Sequence, residues 1–109
     1  KLCEKVCPEL NINEESTPLH TYLAINNDEL VRKNSSSGGV FSLLAERIIN
    51  EGGVVFGARF DNNWKVIMDY TESIDKLSMF RGSKYVQADT CNTFNQCEKF
   101  LNDGRLNIY

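Results

Sequence analysis

Val54-Val55-Phe56-Gly57-Ala58-Arg59-Phe60, Asp61-Asn62-Asn63 and Trp64-Lys65-Val66-Ile67-Met68-Asp69-Tyr70 form two alternating runs around a polar break. Val54, Phe56, Ala58 and Phe60 recur at a period of two in the first run, and Trp64, Val66, Met68 and Tyr70 in the second. That period is a strand's, and two such runs joined by Asp and Asn, which tolerate left-handed backbone, predict a hairpin. One face should cover a core, with Lys65 and Asp69 pointing out.

Working upstream, Gly52-Gly53 precedes the hairpin and suits a left-handed helix stop. Before it, Val40, Phe41, Leu44, Ala45, Ile48 and Ile49 recur at three- and four-residue spacing, which predicts a helix from about Ser37 to Asn50. Thr21-Tyr22-Leu23-Ala24-Ile25 reads as a short strand, and Asp28–Lys33 as one helical turn capped by Asn27 or Asp28. Downstream, Glu72–Phe80 predicts a short helix capped by Thr71. Thr90–Asn102 predicts another, burying Phe94, Cys97 and Leu101, and Leu106–Tyr109 begins a last strand. The fold class is therefore α/β in the α+β sense: a mixed sheet of about four strands with a central hairpin, helices packed mainly on one face. The first crossover should be right-handed and leave two strands parallel, close to a split β-α-β arrangement.

Residues 1–19 read differently, as a cysteine-bearing tail and polar linker, so structure is expected to begin near His20 and one domain to span 20–109. The chain opens at Lys1-Leu2-Cys3 without an initiator Met and is read as a piece of a longer protein. At 109 residues with 41% hydrophobic and 25% charged residues, it is long enough for one core. A net charge of −3 argues against a nucleic-acid surface, which needs clustered Lys and Arg. No apolar run is long enough for a membrane helix. Four cysteines without other signs of secretion point to a reducing, cytoplasmic setting, with Cys91 and Cys97 as small apolar filler or partly exposed thiols.

Three segments carry chemistry. Ser35-Ser36-Ser37-Gly38-Gly39 opens directly into the main helix. A helix start offers unpaired N–H groups and partial positive charge, hydroxyls add donors, and glycines admit close approach, which together suit a nucleotide or flavin phosphate. The same residues also read as a plain serine cap with a tight glycine turn. Arg81-Gly82-Ser83-Lys84-Tyr85 places two cations, a hydroxyl and an aromatic ring on one loop, for a phosphate and a planar ring or simply for solvent. Arg32 and Lys33 would add positive potential beside the serines. Cys3-x-x-x-Cys7-Pro8 matches the end of a bacterial ferredoxin run, although two thiolates cannot complete one cluster. His20, the single histidine, reads as a surface residue, and no paired-acid or Cys–His motif marks a hydrolase.

Ser35–Phe41, then Gly52–Ala58, then Leu77 with Phe80–Gln87 stand in an order and spacing that resembles the N-terminal domain of the beta subunit of coenzyme F420-reducing hydrogenase and its dehydrogenase relatives. The resemblance covers residues 20–109, with Cys3–Pro8 looking like the tail of an upstream ferredoxin segment. It implies an FAD-dependent oxidoreductase module that passes electrons between iron–sulfur clusters and a deazaflavin or other small acceptor. Ser35, Ser36, Ser37, Gly38, Gly39, Arg81, Gly82, Ser83, Lys84 and Tyr85 would line the flavin site. Cys3 and Cys7 would ligate a 4Fe-4S cluster in the full-length protein only. The implied partners are a redox protein or a small electron acceptor, with neither nucleic acid nor membrane. The fragment alone is expected to fold, to bind flavin weakly or not at all, and to be inactive. The alternative is a non-catalytic docking domain within a redox complex. Asn107, in the last strand, is an odd residue for a buried position.

Overall fold

The computed structural model describes residues 1–7, 9–11 and 17–109. Pro8 and most of the proposed linker, 12–16, lie outside the described residues. The elements in chain order are α1 (Leu2–Val6), α2 (Glu29–Lys33), α3 (Val40–Asn50), β1 (Val54–Phe60), β2 (Val66–Thr71), a 3-10 helix (Ile74–Phe80), α4 (Thr93–Asn102) and β3 (Asn107–Ile108). Helices and one mixed sheet make this an α+β fold.

Among the described residues the sheet has three strands, not four, in the order β2-β1-β3. β1 pairs antiparallel with β2, placing Phe56 opposite Tyr70 and Ala58 opposite Met68, and parallel with β3, placing Val55 opposite Ile108. The hairpin is therefore central, as its alternation predicts. The parallel pair, however, comes from the last strand rather than from Thr21–Ile25. That stretch forms no strand among the described residues, and Tyr22, Leu23 and Ile25 are exposed. An apolar run without a neighbouring ladder has no backbone partners to make it a strand. A short helix, α1, also precedes the point where structure was expected to begin, with every residue of it exposed.

β1 is covered on both faces, not one. Val54, Val55 and Phe56 are all buried in succession, the mark of a central strand between two layers. On one side Val55 joins Ala45 of α3 and Leu77 of the 3-10 helix, with Phe41, Ile48, Ile49 and Ile108 packed around them. On the other, Phe56 meets Tyr70, Phe100 of α4 and Tyr109. α4 thus closes the face opposite α3. Its inward residues are Thr93 and Phe100, while the expected Phe94 and Leu101 are mostly exposed. Phe94 instead stacks flat on Tyr109 near the surface.

Local chemistry sets the boundaries. Asp61 organises the hairpin turn: its carboxylate accepts from the N–H groups of Asn63 and Lys65. The left-handed residue is Trp64 (φ 62°), not an Asn, and its ring stands exposed beside Phe60 rather than in the core. A single residue in the left-handed well is tolerated where the turn holds it. α3 ends as expected, with Gly52 at φ 78° and the N–H of Gly53 donating to Ile48 O at 2.8 Å. It begins at Val40, the first residue of its apolar pattern and three residues after the predicted Ser37, because Gly39 adopts φ 74° as its N-cap. The helix after β2 is of the 3-10 type and starts at Ile74. Thr71 does not cap it; the Thr71 hydroxyl instead exchanges hydrogen bonds with the backbone of Ser73. The outer edge of β2 is met by Asp89, whose backbone bonds Val66 and Met68. Lys65 there donates to the Asp89 carboxylate at 2.6 Å, a bond that raises the amine's pKa and lowers the acid's.

Candidate functional site

The N-terminus of α3 and the C-terminus of the 3-10 helix point to the same place. Leu77 and Phe80 are buried beside α3 and β1, so the chain leaves the core at Arg81 just where α3 begins. Between them lies a cleft of about 330 Å³. Its walls are Ala24, Ser35 to Phe41, and Phe80 to Ser83. Two segments well separated in sequence, ending at Phe41 and beginning again at Phe80, thus form one concavity, at the small end of the range that holds organic ligands.

Each wall has its own support. Asn26 is buried, and its N–H donates to Gly38 O at 2.7 Å while its side-chain amide donates to Gly39 O at 3.3 Å. The Asn26 carbonyl in turn accepts from Arg32 Nη1 at 2.9 Å. Arg32 is therefore a brace behind the wall, and Lys33 pairs with Glu29 instead of lending charge to the cleft. The two glycines are needed by the protein itself. A Cβ on Gly38 would stand 2.7 Å from Ala24 O, and one on Gly39 would sit 3.2 Å from the Asn26 Cβ.

The serines divide. Ser35 Oγ donates to Val31 O at 2.7 Å, closing α2. Ser36 and Ser37 are exposed at the cleft, and neither caps α3, whose N-cap Gly39 has no side-chain bond. A serine cap is thus not the reason for the triplet. The first turn of α3 also carries no acidic residue, so its orphan N–H groups and positive end face the cleft without an internal counter-charge.

On the opposite wall Arg81 is half-buried, and its Nε donates to Ser42 Oγ at 3.0 Å. No carboxylate pairs with it among the described residues. Gly82 takes φ 82° with open space around it, and Ser83 is exposed on the rim. Lys84 turns away: its amine donates to Arg81 O at 2.8 Å, and burial lowers its pKa. Tyr85 is 95% exposed and does not line the cleft. Eight of the ten residues read from sequence as a flavin site therefore meet in one place. Lys84 supports that place from behind, and Tyr85 stands apart. Ser42 and Asn26 were not singled out by sequence, and Phe41 was read only as part of the apolar pattern and the family segment; a buried serine in the first turn of a helix has no spacing signal of its own.

A family model described as "Coenzyme F420 hydrogenase/dehydrogenase, beta subunit N-term" matches residues 21–94. The chain belongs to this family. It is the beta-subunit N-terminal domain of an oxidoreductase, and both walls of the cleft fall within the match. No significant match appears among curated proteins or solved structures. No helix among the described residues is long and apolar enough to cross a membrane.

Cys3 sits exposed on α1, upstream of the residues matched to the family, and Cys7, half-buried, follows the end of that helix. Cys7 is the C-cap of α1 with extended backbone (ψ 120°), so helical spacing does not set where the two thiols stand. No group of three or more His, Cys, Asp or Glu side chains gathers to hold a metal among the described residues. These two thiols do not make a cluster site by themselves. Cys91, at φ 49° beside Asp89, has its thiol pKa raised, first by desolvation and then by Asp89.

Proposed function

We propose that the cleft holds the phosphate-bearing part of FAD, and that the domain passes electrons between an iron–sulfur donor and a deazaflavin or other small acceptor. The observation that carries this reading is the convergence of Ser35–Gly39 and Arg81–Ser83 on one cleft. The residues present fit such a group. An unpaired guanidinium, unbonded serine hydroxyls and the bare N-terminus of α3 are all donors, and donors are what a pyrophosphate needs. When bound, the flavin supplies the hydride and electron chemistry. The protein's part is to fix that group and set its field. Arg81 and the start of α3 bind and orient the anionic portion, while Phe41 and Phe80 form an apolar floor that excludes water.

Cys3 and Cys7 are the residues through which this segment would contribute to a 4Fe-4S cluster, with the remaining thiolates supplied from elsewhere. The intact subunit, purified without oxygen, should be yellow-brown and contain flavin and iron in its visible spectrum and metal analysis. A colourless, flavin-free preparation that takes up no added FAD would overturn the assignment.

A second reading, a docking domain within a redox complex, is favoured by one feature. The extended stretch Leu19, Tyr22, Leu23 and Ile25 exposes its apolar side chains beside the cleft wall at Ala24. The colour test separates the two, since docking alone requires no bound flavin.

A further inference from the structure

Arg81 is held at three points. Phe80 before it is buried against Gly57, where a Cβ would approach the Phe80 ring to 2.9 Å. Lys84 donates to the Arg81 carbonyl at 2.8 Å, pinning the backbone. Ser42, 1% exposed, accepts from Arg81 Nε at 3.0 Å and pins the side chain. A guanidinium is a rigid planar fork, so a bond to Nε fixes the plane in which both terminal nitrogens lie. Those two nitrogens make no hydrogen bond among the described residues, and Arg81 lines the cleft. A half-buried cation held this firmly without a carboxylate is set up for an external anion that can receive two parallel N–H groups.

We propose that Ser42 is a positioning residue: it aims Arg81 at the cleft and thereby makes the site select phosphate-bearing ligands over their dephosphorylated forms. This rests on the flavin reading for the identity of the natural ligand, but not for the anion preference itself. Ser42 does not touch the ligand; it acts through Arg81. The reason a buried serine stands in the first turn of α3, on its inward side, is then that the guanidinium needs an acceptor there.

The test uses the intact subunit with three probes: FAD, riboflavin and inorganic pyrophosphate. Ser42→Ala should weaken FAD and pyrophosphate about tenfold, the worth of one good hydrogen bond, and leave riboflavin unchanged. Arg81→Ala should weaken both anions on the order of a hundredfold, and the double variant no further than Arg81→Ala alone. If Ser42→Ala does not fold, Ser42→Cys, nearly the same size but a weak acceptor, answers the same question. A Ser42 variant that loses riboflavin and FAD equally, or that adds its full effect to Arg81→Ala, would overturn the proposal. If pyrophosphate binding depends on Ser42 while no flavin binds at all, the flavin reading falls and the positioning role stands. If the wild type binds neither anion, both fall.

Discussion

A methyl group at Gly38 would stand 2.7 Å from the carbonyl oxygen of Ala24, closer than real Cβ contacts come. The obstacle is backbone and cannot swing aside. Gly38→Ala should therefore destabilise the domain by about 1–3 kcal/mol, the usual range for overpacking, and should displace the 24–26 segment that Asn26 ties to Gly38 and Gly39. Thermal melting checks the first, and loss of amide protection at Asn26 the second. An unchanged melting temperature would mean that the two backbones do not meet this closely. The same contact revises what the glycine pair is for. From sequence, two glycines at a helix start read either as room for a ligand or as a tight turn. The structure assigns Gly38 to a protein backbone and Gly39 to a left-handed turn that only a residue without a side chain adopts easily. Ser36 and Ser83, exposed on the two rims and without a hydrogen bond among the described residues, are the hydroxyls that the proposed ligand would meet.

At the level of elements, β3 holds the least settled position. Asn107 pairs in register with Val54, and both polar atoms of its side chain are enclosed without a hydrogen-bond partner among the described residues. Enclosed and unpartnered amides cost free energy, whereas valine suits a pleated surface. Asn107→Val should raise stability by about 1–2 kcal/mol in urea unfolding. A loss of stability would show that the amide has a partner in the intact protein. The hairpin and α3 were legible because each has a clean period over ten or so residues, and Gly52 marks where one gives way to the other. Thr21–Ile25 and the inward face of α4 were not, although α4 itself lies within the predicted Thr90–Asn102. A five-residue apolar run looks the same whether or not a neighbour exists to pair with it. In α4 the inward side is set by Thr93 and Phe100, with the Thr93 hydroxyl bonded to Thr90 O and Tyr109, so polarity there is a poor guide to facing. Trp64 misleads in the opposite sense, because turn geometry outweighs its bulk and leaves it outside.

Across the whole molecule, one β-strand buried on both faces fixes where everything else can go. α3 and the helix Ile74–Phe80 pack on the Val55 side, and their ends bring residues 35–39 and 81–83 together. Sequence could name both segments, because serine, glycine and arginine clusters stand out, but not that they share a wall; that follows from the core between them. The central claim is that this shared cleft binds the anionic part of a flavin, and the direct measurement is equilibrium FAD binding by the intact subunit and by a Ser36→Glu, Ser83→Glu variant. Both positions are exposed, so the variant should melt with the wild type in the absence of ligand. It should bind FAD at least about tenfold more weakly, because two carboxylates then face the phosphates. A folded variant with wild-type affinity would place the flavin elsewhere and contradict the account.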